Sequence, residues 1–436
     1  MGEGPVIALI DGEHHPPAIR DTLDRLHAAR GVAGVVFCGG EEKVSAGALK
    51  DPVAHYGREV LTGLAPEDGL RELLSGGGAS GATAASGATA ASTAVSGGTA
   101  ASTTAPGAVA VVDLADEPVL DPIARLRLAA LALHLGLSYE APGMRLSPPP
   151  YASVPFNGRT LAVIGTGKRS GKTAVAGHWA ELLRAGGADP VIVCMGRGGP
   201  AEPQVARAGI GIRELLALSD GGAHAASDYL EGAVMAGVTT VGCRRVGGGP
   251  AGEPGESNMV EAAALAAGIA SGAIILEGSG ACIPPVAADR TVCVVGSQSI
   301  DGLDRYRVLR ADLCLTLSRA GPPGPTIRIE LRPEPAEPIP QDARVAAFTT
   351  RAEHCEGVEP VVSSRNLSRR AALSEDLDLA VAEGCDVYLT ELKAAAIDIV
   401  AARARAEGAR VIFLRNRPVG IDADLDAALW GLYTDA

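Results

Sequence analysis

The stretch LAVIGTGKRSGKT, Leu161 to Thr173, runs a short apolar strand into a glycine-rich turn that closes on Gly171, Lys172 and Thr173. Residues of these types in this order make a cradle for phosphate. Backbone N–H groups of such a turn open onto a helix N-terminus and converge on an anion. The lysine reaches the terminal phosphates and the threonine hydroxyl holds Mg2+. A nucleoside triphosphate, ATP, is therefore the expected ligand, wrapped by Gly165, Thr166, Gly167, Lys168, Arg169, Ser170, Gly171, Lys172 and Thr173. The strict phosphate-loop spacing, GxxxxGK followed by Ser or Thr, asks for glycine at position 166, where this chain has Thr166 between Gly165 and Gly167.

Three further strand ends carry charge. The run AIILEGSG ends in Glu277, where an enzyme with this loop places an acid to hold Mg2+ or its water shell; a plain strand-end carboxylate is the alternative. The run PVIVCMGRGGP ends in Arg197 followed by Gly198 and Gly199, and TTVGCRRVGGG carries Arg244 and Arg245 into three glycines. Glycine lets backbone approach an anion, and the arginine fork suits bidentate phosphate contacts, so both loops point to a phosphorylated substrate, with exposed basic turns as the alternative. Asp228, by position, is a second metal carboxylate, and Asn416, at the last strand end, is placed to read adenine. Glu391 and Lys393 in LTELKAAAID sit at another strand-to-helix turn, which helix capping explains nearly as well.

The elements that position these groups alternate between strand and helix. In the N-terminal part, strands Val6–Ile10 and Val35–Phe37 flank a helix at Ala18–Ala29, and the loops DGEHHPP and CGGEEK leave their carboxyl ends. That edge of an open parallel sheet is where ligands bind. Asp11, Glu13, His14 and Lys43 are accordingly candidate substrate contacts, with ordinary turn chemistry as the alternative. Residues 75–107 collapse to Gly, Ala, Ser and Thr and read as a flexible insertion into one domain, since a strand at Val109–Leu114 and a helix near 122–135 follow at once. The proline-rich segment 147–158 reads as a linker. Beyond it, strands are expected at Pro190–Met195, Ala273–Leu276, Thr291–Val295, Leu313–Leu317, Val345–Phe348, Val387–Leu389 and Val411–Leu414, with a polar stretch to about 256 and a helix at Val260–Ala270. The expected fold is α/β: an N-terminal Rossmann-like domain over 1–150, then a larger P-loop ATP-binding domain over 158–436. The latter has a mainly parallel sheet in three αβα layers, with 341–436 as its C-terminal extension.

Composition bounds the function. The net charge of −13 argues against a nucleic-acid partner, whose binding needs a concentrated basic surface. The eight cysteines occur singly, without metal-ligand spacing, and no apolar run reaches membrane-spanning length, so a cytoplasmic enzyme is the expectation. Only five lysines are present, Lys43, Lys50, Lys168, Lys172 and Lys393, and two of them lie in the phosphate loop. Scarcity marks them, because arginine does not replace lysine where a compact charge must fit a phosphate.

The opening Gly165-Thr166 is closer to the P-loops of dethiobiotin-synthetase-like, amide-forming ATP enzymes than to those of GTPases. Taken with LIDGEH, CGGEEK, GTGKRSGKT, MGRGGP, ASDYLE, VTTVGCRR, LEGSGACIPPV, SRNLS, TELKAAAID and LRNRPV, the chain resembles the cyclic 2,3-diphosphoglycerate synthetase family over nearly its whole length. The resemblance implies ATP-driven closure of a small phosphorylated acid into an intramolecular phosphoanhydride, with Lys172, Lys168, Arg197 and Glu277 as catalytic groups and Mg2+ at Thr173, Glu277 and Asp228. It also implies that the N-terminal loops close over the substrate. A homodimer is compatible with the sequence. The alternatives are another ligase of the dethiobiotin-synthetase type, acting on a carboxylate, and a nucleotide-switch ATPase with a protein partner.

Overall fold

The computed structural model describes residues 4–75, 108–222, 225, 227–296, 300–319, 321–350, 355 and 357–435, the side chain of residue 46 excepted. The expected insertion, from residue 76 onward, lies outside them. Contacts divide the chain into two units, Met1–Pro149 with Ser299–Arg310, and Pro150–Gln298 with Ala311–Ala436.

In the first unit, strands β1 (Val6–Ile10), β2 (Val32–Phe37), β3 (Ala110–Asp113), β4 (Ser138–Ala141) and β5 (Met144–Leu146) form a sheet in the order β2-β1-β3-β4-β5. All pairs are parallel except the terminal hairpin of β4 and β5. Alternation along β1 explains the layering, because successive side chains leave opposite faces of a strand. Ile7 and Leu9 pack with Leu70, Leu128 and Leu131 on one face, and Ala8 and Ile10 with Ile19 and Leu23 of helix Pro16–Arg30 on the other. The late segment is tied in by charge: Arg127 forks onto Asp301 at 2.6 and 2.7 Å, and Arg305 reaches Glu67 at 2.7 Å.

The second unit holds β6 (Arg159–Gly165), β7 (Pro190–Gly196), β8 (Gln204–Ala206), β9 (Thr239–Val246), β10 (Glu256–Ser257), β11 (Ala273–Glu277), β12 (Arg290–Val295), β13 (Leu313–Thr316), β14 (Thr326–Pro335), β15 (Val345–Phe348), β16 (Val362–Ser364), β17 (Val387–Glu391) and β18 (Arg410–Gly420). Strands β9-β7-β11-β6-β12-β13-β14 are parallel neighbours, with β6 and its phosphate loop at the centre. Their runs are continuously apolar, as two covered faces require. Helix Lys172–Ala185 seals one face: Val175, Trp179 and Leu183 are fully buried against Leu161, Val163, Ile192 and Ile275, and the Trp179 indole donates to the Leu429 carbonyl at 3.0 Å. The stretch after β7, expected only as polar to about residue 256, contains helices Ile212–Asp220 and Asp228–Ala236 and strand β9. The second of these helices buries Gly232, Ala233 and Ala236 beside Leu230, which hides its period from a sequence reading.

The strands of the C-terminal part join the same sheet. Strand β14 pairs parallel with β13 through Thr326–Arg328, then antiparallel with β18 from Ile329↔Gly420 to Pro335↔Leu414. Strand β17 runs parallel to β18, with Glu391 opposite Leu414. Strands β15 and β16 follow in parallel beyond it. One antiparallel ribbon thus reverses strand direction in mid-sheet and turns the carboxyl ends of β15, β16 and β17 back toward those of the P-loop strands.

Candidate active site

Strand β6 delivers the chain to the cradle, and Gly171 caps the following helix in the left-handed region at φ 98°. A side chain there would sit 2.9 Å from the Leu331 Cδ1, so the position needs glycine on two counts. The Lys172 ammonium is buried inside the loop, donating to the Gly167 carbonyl at 2.8 Å and the Ser170 hydroxyl at 3.4 Å. Thr166 stands where the usual glycine would be. Its hydroxyl accepts from the Gly296 N–H at 3.1 Å, tying the loop to the end of β12.

The Thr173 hydroxyl donates to Glu277 Oε1 at 2.5 Å, and the other carboxylate oxygen, Oε2, is buried without a hydrogen-bond partner. Burial, then the nearby Asp228 charge, push the Glu277 carboxyl up to about 7, with Thr173 and Lys172 acting in the opposite sense. Burial holds Lys172 below its ordinary value, a loss partly offset by Glu277. Such mutual perturbation in one place marks functional sites. A hydroxyl and an orphaned carboxylate oxygen beside a phosphate cradle are hard oxygen donors of the kind Mg2+ takes.

The cations divide into two sorts. Lys168, Arg169 and Arg197 are exposed, and none takes part in an ion pair among the described residues. Arg169 adopts φ 62°, a left-handed backbone rare for a side-chain-bearing residue. Arg245 is different. It is buried on β9, not in a turn, and donates to the Gly247 carbonyl at 2.6 Å and the Ser279 carbonyl at 3.0 Å, clamping β9 to the loop after Glu277. Arg197 and Arg245 still converge, since a methyl group added at Gly280 would lie 2.8 Å from one guanidinium and 3.3 Å from the other. Gly199 lets the Arg197 loop close on β9, because a Cβ there would stand 2.0 Å from the Cys243 carbonyl oxygen. Gly198 is exposed, and Arg244 is half-exposed beside Glu256 at 3.6 Å.

Asp228 is exposed in the first turn of helix Asp228–Ala236. Asn416 is half-buried on β18 opposite Pro333. In the first unit the two N-terminal loops meet, with the Gly12 N–H donating to the Gly39 carbonyl at 2.9 Å. There Asp11 is fully buried and accepts from the His14 ring at 2.7 Å, while Lys43 pairs with Glu13 at 2.5 Å. Sequence reasoning did not single out Cys194, whose buried thiol lies against Glu277, or Glu231, one turn after Asp228. Burial pushes Glu231 up to about 8 against the opposing charge of Lys393. Its spacing of three from Asp228 on one helix was the available signal.

Known families match the chain along most of its length. The family model described as the cyclic 2,3-diphosphoglycerate synthetase N-terminal domain matches residues 5–79 and 90–147; that of its P-loop domain matches 160–322, and that of its C-terminal domain 341–417. The cyclic 2,3-diphosphoglycerate synthetase of Rubrobacter xylanophilus is 41% identical over 97% of this chain and 95% of its own. Those of Thermococcus onnurineus, at 36% over 95% of both chains, and Methanothermobacter thermautotrophicus, at 32% over 97% and 95%, cover it as fully. The chain belongs to the cyclic 2,3-diphosphoglycerate synthetase family. Membership accounts for the P-loop core and for nucleotide use by it. The break in the match to the family's N-terminal domain, between 79 and 90, falls inside the low-complexity stretch. No helix among the described residues is long and apolar enough to cross a membrane.

Proposed function

We propose that this chain is an ATP-dependent synthetase that closes 2,3-diphosphoglycerate into its cyclic phosphoanhydride, releasing ADP and phosphate. The observation that carries the reading is the set of exposed cations Lys168, Arg169 and Arg197, in no ion pair among the described residues, around Thr173 and the buried Lys172 and Glu277. A site for ATP alone needs no such surplus. Two phosphates of one small acid repel each other by about 4 kcal/mol at a separation of about 4 Å and an intermediate dielectric, and the triphosphate adds to this. Fixed cations offset that repulsion without reorganising.

In the proposed sequence, an oxygen of one substrate phosphate attacks the γ-phosphorus of ATP, the bond to the β-phosphate oxygen breaks, and ADP leaves. An oxygen of the neighbouring phosphate then attacks the phosphorus of the activated substrate phosphate and expels inorganic phosphate, closing the ring. Lys172 holds the transferred group, and Lys168, Arg169 and Arg197 hold the substrate charges. Gly198, Gly199, Arg244 and Arg245 shape the wall beside them, and Asn416 faces the adenine. Mg2+, held by Thr173 and Glu277 with Asp228 alongside, would supply charge neutralisation at the phosphates. In the first unit, Asp11, Glu13, His14 and Lys43 form a further loop set proposed for substrate contact.

The test is phosphorus NMR of products after incubation with ATP, Mg2+ and 2,3-diphosphoglycerate. A cyclic-anhydride resonance and ATP turnover that requires the substrate are expected. Substrate-independent ATP hydrolysis would instead indicate a nucleotide switch. Turnover restored only by a carboxylate acceptor would indicate an amide-forming ligase.

A further inference from the structure

We propose that Lys393, delivered by the C-terminal strands, is a substrate-binding residue of the P-loop site that presents its ammonium to a phosphate of the multiply phosphorylated acid. This rests on the function proposed above and adds a residue which that reading leaves unused.

Topology brings it there. Because the β14–β18 ribbon reverses direction, the carboxyl end of β17 at Glu391 is turned toward the carboxyl edge of the P-loop strands. The next residue, Leu392, is fully buried in one apolar cluster with Leu230 and Ala233 of the helix that begins at Asp228. The ELK turn is thereby seated on the helix carrying Asp228 and Glu231, and Lys393 acts on the Glu231 carboxyl through its charge.

Local structure points the same way. Glu391 is 1% exposed; its Oε2 accepts from both the N–H and the hydroxyl of Thr350 at 2.7 Å, and its Oε1 lies 2.7 Å from the Lys393 ammonium. The acid is hidden and oriented, while the lysine side chain it holds stays 41% exposed. Beside it, Ala394 has φ 48°. Among the described residues, the only side-chain-bearing positions in that region are Ala394 and Arg169 of the phosphate loop, each next to a lysine. A π-helical turn, Ala396–Ala401, follows directly. Strained backbone and π-turns both collect at functional sites.

The experiment compares initial rates for the wild type, K393M, K393R and the double variant E391Q/K393M, varying 2,3-diphosphoglycerate and ATP separately. The double variant leaves no buried carboxylate unpaired, so it keeps the question open to measurement if K393M fails to fold. Loss of one charge-assisted phosphate contact should raise KM for 2,3-diphosphoglycerate by about tenfold or more in both methionine variants, leave KM for ATP within about twofold, and be partly rescued in K393R. An unchanged substrate KM in the folded double variant, or an equal rise for both substrates, overturns the assignment of Lys393 alone. A wild type that turns over no 2,3-diphosphoglycerate overturns the proposed function and this role with it.

Discussion

Replacing Glu277 by glutamine should stabilise the protein at neutral and alkaline pH while abolishing turnover. The carboxyl is buried and its folded value, about 7, stands above its ordinary 4.5. Below the lower value both folded and unfolded chains carry the proton, and above the higher value neither does. Between them the folded chain binds the proton more tightly, so stability falls as pH rises from about 4.5 to about 7 and is flat beyond. At roughly 1.4 kcal/mol per pH unit, the loss accumulated between about pH 5 and about pH 8 is about 2 to 3 kcal/mol. Glutamine keeps a carbonyl oxygen to accept from Thr173 and carries no charge to desolvate. The measurement is the urea-unfolding free energy of wild type and E277Q, without nucleotide, at the two pH values. The Glu277 charge also contributes to the upward push on Glu231, so its removal in E277Q acts in the same direction, and the wild-type deficit relative to E277Q should grow with pH by that amount or more. A deficit that does not change with pH, or that shrinks, would refute the assignment of Glu277 as a buried, desolvated acid.

The two arginines that converge on Gly280 should behave oppositely. R197A should raise the 2,3-diphosphoglycerate requirement more than the ATP requirement with little change in stability, as steady-state kinetics and thermal unfolding will show; the reverse kinetic order would move Arg197 to the nucleotide. R245M strips the Gly247 and Ser279 carbonyls of their donors and should cost about 1 to 3 kcal/mol of stability by urea unfolding. K172A should lose turnover by orders of magnitude yet remain folded, with an unchanged circular-dichroism spectrum; near wild-type cyclisation would sink the role given to Lys172.

The phosphate loop was legible because its chemistry is local: glycines, a lysine and a threonine within nine residues imply their own backbone. The strand ending in Glu277 was legible for the same reason, being a continuous apolar run that terminates in an acid. What could not be read were features set by distant partners. Arg244 and Arg245 are adjacent and identical in type, yet Arg245 is committed to two carbonyls, one of them 34 residues away, and nothing in GCRRVGGG separates them. The β14–β18 ribbon depends on pairing residues such as Ile329 with Gly420, a register that neither strand encodes alone. Without that ribbon, Glu391 and Lys393 read as one more strand-to-helix turn. Helix Asp228–Ala236 was missed because Gly232, Ala233 and Ala236 supply most of its buried face, whereas helix Ile212–Asp220 buries Leu215 and Leu216 and carried a readable apolar period that the polar reading of the stretch passed over.

The site holds two unfavourable arrangements at once, and each makes sense of the other. An acid desolvated beside Asp228 destabilises the fold, and the exposed charges of Lys168, Arg169 and Arg197 are offset by no ion pair among the described residues. Neither arrangement benefits an empty protein, and residues that cost stability persist where activity needs them. Dianionic phosphates and a divalent cation together would relieve both, the metal at the Glu277 side and the phosphates at the Lys168, Arg169 and Arg197 side. Ligand-induced stabilisation should then exceed the sum of separate contributions. Nucleotide, Mg2+ and 2,3-diphosphoglycerate added together should raise the unfolding temperature by more than the separate shifts combined, since each component lowers the electrostatic cost of the next. Strictly additive shifts in a thermal-unfolding titration would mean that the acid and the cations serve separate sites.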